Sequence, residues 1–92
     1  MSKLPMNNSM KAIYGSSKKH PGDYKLELWT VSPEGKGMNV ESSIVNNQRL
    51  LSIFNTWISN GWISQDELSD FELEAIKNNQ ELTETTLFLH YL

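Results

Sequence analysis

Residues 50–76 read LLSIFNTWISNGWISQDELSDFELEAI, and this stretch decides the fold because it carries two amphipathic segments with a stop and a restart between them. At about 100° per residue, Leu50, Leu51, Ile53, Phe54, Trp57 and Ile58 share one wide apolar arc, with Arg49, Ser52, Asn55, Thr56 and Ser59 opposite. This spacing predicts a helix with one buried face. Asn60-Gly61 is a stop signal, since glycine enters the left-handed region without a Cβ clash, and Trp62 then packs back near Trp57. Ser64 and Glu67 have the reciprocal capping spacing, flanked by Ile63 and Leu68 as a hydrophobic staple, so a second helix is expected to begin at Ser64.

On that second helix Leu68, Phe71, Ala75 and Ile76 are expected on the core face, with Asp66, Glu67, Asp70 and Glu74 opposite. Two residues break the pattern. Glu72 falls inside the apolar arc and Leu73 toward the acidic side, which means either that the buried face is rotated or that this edge meets another molecule. Asn78 and Asn79 end the segment.

Upstream, Asn46 and Asn47 offer an N-cap for the first helix. Tyr24–Val31 alternates, with Tyr24, Leu26 and Leu28 on one face and Lys25, Glu27, Trp29 and Val31 on the other. Residues 32–37, SPEGKG, have the early proline and late glycine of a hairpin loop, and Met38–Val45 alternates again with Met38, Val40 and Ile44 on one face. A short strand is expected at Met10–Gly15, followed by the loop SSKKHPGD over 16–23, and residues 1–9 lack periodicity and read as a flexible tail. Residues 83–91 are rich in β-branched and aromatic side chains, and the apolar run Leu87–Leu92 suggests a strand inside the sheet.

The expectation is a single two-layer α+β domain over 10–92, ordered β-β-β-α-α-β, with a four-stranded, mainly antiparallel sheet and both helices on one face. The other sheet face is left open, with Trp29 and Val31 outward and joined by Phe88. Either the Lys25 and Glu27 stems cover Trp29, or Trp29, Leu73 and Phe88 belong to a second interface, as in a homodimer.

Composition removes several kinds of chemistry. No cysteine is present, so disulfides, thiolate nucleophiles and Cys-ligated zinc are excluded. His20 and His90 have no histidine at the spacing a metal needs, no metal or cofactor is expected, and residues 14–19, YGSSKK, lack the first glycine and the Gly-Lys-Ser/Thr ending of a phosphate loop. No serine sits in a nucleophile elbow, so the chain is read as a non-enzyme. No apolar run approaches the roughly 20 residues of a bilayer span, and a cytoplasmic protein is expected.

Charge is uneven along the chain. Residues 1–60 carry seven Lys or Arg against four Asp or Glu, and residues 61–92 one Lys against seven acids, so +3 sits beside −6. Two helices around a tight turn suggest a helix-turn-helix, but Asp66, Glu67, Asp70 and Glu74 would be repelled by a duplex, so direct nucleic-acid binding is disfavoured. A nucleic-acid-binding regulator would have to use Lys18, Lys19 and His20 instead. The acidic residues fit a basic surface on a protein partner, where they would act by charge complementarity, or they form an ordinary solvated face.

Leu50-Leu51, Phe54, Ile58 and Asn60-Gly61-Trp62, preceded by a β-meander and followed by an acidic stretch, resemble the hairpin-then-helix portion of a family of small phage anti-CRISPR proteins. The resemblance covers roughly 30 to 40 residues. It implies an inhibitor from a phage or mobile element that acts in the bacterial host cell as a DNA mimic, placing carboxylates where a CRISPR effector nuclease reads duplex DNA with arginines. Asp66, Glu67 and Asp70 fall where the acidic stretch matches. The smaller net charge, the basic loop and the C-terminal strand depart from the family pattern.

Overall fold

A computed structural model describes residues 9–90. Alternation of apolar and polar residues gives β1 (Ser9–Ser16), β2 (Tyr24–Val31), β3 (Gly37–Val45) and β4 (Thr85–Leu89), and the helical segments form α1 (Asn47–Ser59) and α2 (Asp70–Lys77). The strands make one open antiparallel sheet in the order β3-β2-β1-β4. The protein is therefore an α+β domain with the element order β-β-β-α-α-β. The expected tail lies outside the described residues apart from Ser9, which already belongs to β1.

Register sorts the side chains. Ala12 stands opposite Leu28 on one side and Leu87 on the other, Tyr14 opposite Leu26, and Met10 opposite Leu89. These residues form the face that the helices cover with Leu50, Phe54, Trp57, Ala75 and Ile76. Tyr14 links the sheet to both helices. Its ring meets Phe54 of α1 edge-on at 5.0 Å, and its hydroxyl donates to Glu72 Oε1 of α2 at 3.1 Å. Burial, and then the charge and hydrogen bond of Glu72, push the Tyr14 phenol well above its ordinary pKa, so it remains a donor.

The first helix follows its sequence signals. Asn46 caps it by accepting from the Arg49 backbone N–H at 2.8 Å, and Leu51, Ile53 and Ile58 flank the buried Leu50, Phe54 and Trp57. Gly61 takes φ +77°, and the Trp62 backbone N–H donates to Trp57 O at 2.9 Å as the chain turns back.

The second helix starts later than the capping box suggests. The Ser64 backbone N–H does donate to Glu67 Oε1 at 2.9 Å, but the box closes only a single 3₁₀ turn over Gln65–Glu67. Leu68 is then extended and buried, and Ser69 caps α2 by accepting from the Glu72 N–H at 3.0 Å. Ser69 to Glu72 repeats the Ser-x-x-Glu spacing of Ser64 to Glu67, so the chain carries two start signals and uses the second for the longer helix. The restart resets the helical phase. Glu72 lies centrally on the buried side, Leu73 packs against the core, and Phe71, expected inside, is 79% exposed. Rotation of the buried face thus accounts for Glu72 and Leu73.

Two strand expectations are also corrected. β4 is an edge strand, and Leu87 and Leu89 face the core while Phe88 points the other way, so the described part of the apolar run alternates; Tyr91 and Leu92 lie outside the described residues. Met38, Val40 and Ile44 do not share a face. A bulge opposite Leu28/Trp29 leaves Val40 unpaired, which puts Met38 opposite Thr30 on the helix side and Ile44 opposite Lys25 on the open side.

The segment leading into β4 crosses β1 closely. Ser16 and Leu82 exchange hydrogen bonds of 2.9 and 2.7 Å, and Tyr24 donates to Gln80 O at 2.6 Å. A Cβ on Gly15 would lie 2.8 Å from the Glu84 Cα, a backbone atom that has no room to retreat. Gly15→Ala is expected to cost about 1–3 kcal/mol, or roughly 5–15 °C in Tm by calorimetry. Gly37→Ala, whose Cβ meets the Trp29 ring at 3.4 Å and Thr30 O at 3.9 Å, both ordinary contacts, is expected to change Tm little.

Glu67 gives a pH signature. The hydrogen bond from the Ser64 backbone, helped by His90 and opposed by burial, holds its carboxyl below the ordinary carboxylate range. A depressed folded pKa means stability that is complete above the ordinary value of 4.5 and lost as pH falls through the folded value. The Tm gap between the natural chain and Glu67→Gln should narrow as pH drops below 4.5, and a constant gap would contradict the assignment.

Candidate protein-binding surface

The restart at Ser69 divides the acidic residues between two elements. Asp66 and Glu67 sit on the 3₁₀ turn, and Asp70 and Glu74 lie one turn apart on α2. They do not form one continuous helix face. Asp66, Asp70 and Glu74 are exposed, and none of them joins an ion pair among the described residues. Among the described residues the Glu74 carboxylate accepts a long hydrogen bond, 3.5 Å, from Asn78 Nδ2. Glu67 has a different position. Besides closing the turn on Ser64, it lies 3.1 Å from His90 Nε2, next to the His90 backbone N–H that donates to Trp62 O at 2.6 Å. Its carboxylate fastens the end of β4 to the connection between the helices.

Asp70 and Glu72 in the first turn of α2 and Lys77 in the last also complement the helix dipole, so part of this charge pattern is structural. Phe71 has no such explanation. An exposed phenylalanine forgoes roughly 1.5–3 kcal/mol of burial. It stands between Asp70 and Glu74 in sequence, and the sequence pattern had placed it in the core. The second Ser-x-x-Glu was the signal that would have moved it outward.

On the open sheet face Trp29, Lys11 and Phe88 form a row across β2, β1 and β4. Trp29 is half-buried, with Lys11 Nζ 5.9 Å from its ring centre and its Nε1–H donating to Glu27 Oε1 at 3.1 Å. Lys25 braces Glu27 at 3.9 Å and Glu84 at 3.8 Å. The charged neighbours thus cover Trp29, with Lys11 in the part expected of Lys25, while Phe88 remains 56% exposed. Leu73 lies in the helical layer on the other side of the sheet, so the three residues of the expected second interface are not brought together.

Lys18, Lys19 and His20 are exposed on the β1–β2 loop, which is held by Ser17 N–H to Asp23 O at 2.9 Å and Asp23 N–H to His20 O at 3.0 Å. Lys18 borders an open groove of about 780 Å³ whose lining also includes Asp23, Glu81 and Glu84. A phosphate entering there would meet three carboxylates along with one lysine.

Among the described residues, no three His, Asp or Glu side chains gather as metal ligands, and no helix is long and apolar enough to cross a membrane. No protein-family model, curated protein or solved structure matches the chain.

Proposed function

We propose that the chain is a non-enzymatic protein-binding module that presents Asp66, Asp70 and Glu74, with Phe71 among them, to a basic surface of a host protein. The observation that carries this reading is the exposure of Phe71 beside carboxylates that no ion pair occupies among the described residues. An aromatic anchor with unpaired charges at its border has the make-up of an interface hot spot. An arginine of the partner can stack on the ring while its neighbours pair with Asp70 and Glu74. Glu67 supports the surface by holding the turn that carries Asp66.

The partner proposed from the resemblance is the DNA-reading surface of a CRISPR effector nuclease, with the protein acting as a phage or mobile-element inhibitor in the cytoplasm of the host bacterium. The carboxylates would occupy the arginines that read the duplex. Such a complex should weaken as salt rises, because surface charges are screened over about 10 Å at 0.1 M ionic strength.

With a guide-loaded CRISPR effector nuclease as partner, the natural chain is expected to block target-DNA binding in low salt and to lose potency in high salt. Reversing Asp66, Asp70 and Glu74 together to Lys should abolish inhibition with the circular dichroism spectrum unchanged. Phe71→Ala should weaken binding by about 2 kcal/mol, roughly 30-fold, at equal or higher Tm. Full inhibition by the folded triple variant would overturn the reading.

A further inference from the structure

Away from the acidic surface, the feature that stands out is the outer edge of β3. It is nine residues long and, among the described residues, pairs only with β2, and every residue from Gly37 to Ser42 is exposed. Met38, Val40 and Ile44 are 69%, 58% and 42% exposed, so three of the five exposed large apolar side chains among the described residues lie on this one strand. Strand edges are usually protected by lysine, proline or a covering element, because unpaired backbone groups template pairing with another chain. β3 has no lysine, arginine or proline, and Glu41 is its only charge. The bulge at Val40 is its one irregularity.

The opposite edge is protected. β4 spans only five residues, and its end is fastened through His90 to Trp62 and Glu67. Two acids lie away from β3, with Glu72 bonded to Tyr14 of β1 and Glu67 to His90 after β4. The charge distribution therefore selects the occupant of the β3 edge. A basic partner finds one carboxylate there and an acidic partner finds no cation on the strand, whereas an equally neutral, apolar edge fits it. Two copies meeting at β3 also keep Glu67 and Glu72 of each copy away from the seam, which lowers the repulsion a dimer must overcome.

We propose that β3 pairs with β3 of a second copy in an antiparallel, two-fold arrangement that makes one eight-stranded sheet. A two-fold axis perpendicular to the sheet keeps the helices of both copies on the same face. Residues that pair directly must then share a face. A register centred on Ser42 sets Glu41 opposite Ser43 and avoids the carboxylate pair that a register centred on Glu41 would create. A contact made through one strand edge is expected to form reversibly and with dependence on concentration.

The absence of cysteine allows a clean test, since any introduced thiol is the only one in the chain. Directly opposed Cα atoms in an antiparallel pair are about 4.5–5.5 Å apart, within disulfide reach. Under mild oxidation Ser42→Cys should form covalent dimers at least about tenfold faster than Thr86→Cys on β4, because only Ser42 faces its own copy. Sedimentation from about 10 µM to about 1 mM should show the mass rising from 10.6 kDa toward twice that value. Val40→Lys with Ile44→Lys should reduce association at least about tenfold with an unchanged circular dichroism spectrum, as expected of charged edges. A mass of 10.6 kDa at every concentration, or equal cross-linking at Ser42→Cys and Thr86→Cys, would overturn the proposal.

Discussion

The hydrogen bond from Tyr14 to Glu72 is the constraint on which the outer surface depends. Tyr14 is fully buried on a central strand, and its hydroxyl needs an acceptor because an unpaired buried donor costs about 1–3 kcal/mol. Glu72 supplies it and is thereby held on the inner side of α2. Once Glu72 points inward, the helix phase is set. Ala75 and Ile76 enter the core, Leu73 packs at one flank, and Phe71 is left at the other flank in water. A polar pair inside the domain thus determines which aromatic ring the outside presents.

The same logic separates structural acids from available ones. Glu72 serves the buried tyrosine and Glu67 serves the turn and His90, so both are committed. Asp66, Asp70 and Glu74 have no comparable duty beyond a favourable place near helix N-terminal dipoles or a long contact with an asparagine. The proposed binding surface is what remains after these internal demands are met. It is smaller than a row of carboxylates along one helix, and it gains an aromatic centre.

Much of the fold was legible because it rests on local rules. The alternation in Tyr24–Val31, the arc from Leu50 to Ile58, the Asn-Gly stop and the order of elements all follow from period and turn chemistry. The errors came where two local signals compete or where pairing is non-local. Ser64 and Ser69 both start helical turns, and only the burial of Leu68 decides that the chain breaks between them. The bulge at Val40 changes faces within β3, which an unbroken alternation cannot reveal. A phase counted from Ser64 puts Phe71 in the core, and one counted from Ser69 puts it outside. The acidic residues were legible as a group, but not their division into committed and available members.

Hydroxyl-radical footprinting with residue-level mass spectrometry tests this account most directly, since the chain contains three phenylalanines with different expected exposures. If the Tyr14–Glu72 bond sets the phase of α2, Phe71 is oxidised at least as fast as the exposed Phe88 and far faster than the buried Phe54. Protection of Phe71 to the level of Phe54 would place it in the core and contradict both the phase of the helix and the surface built on it.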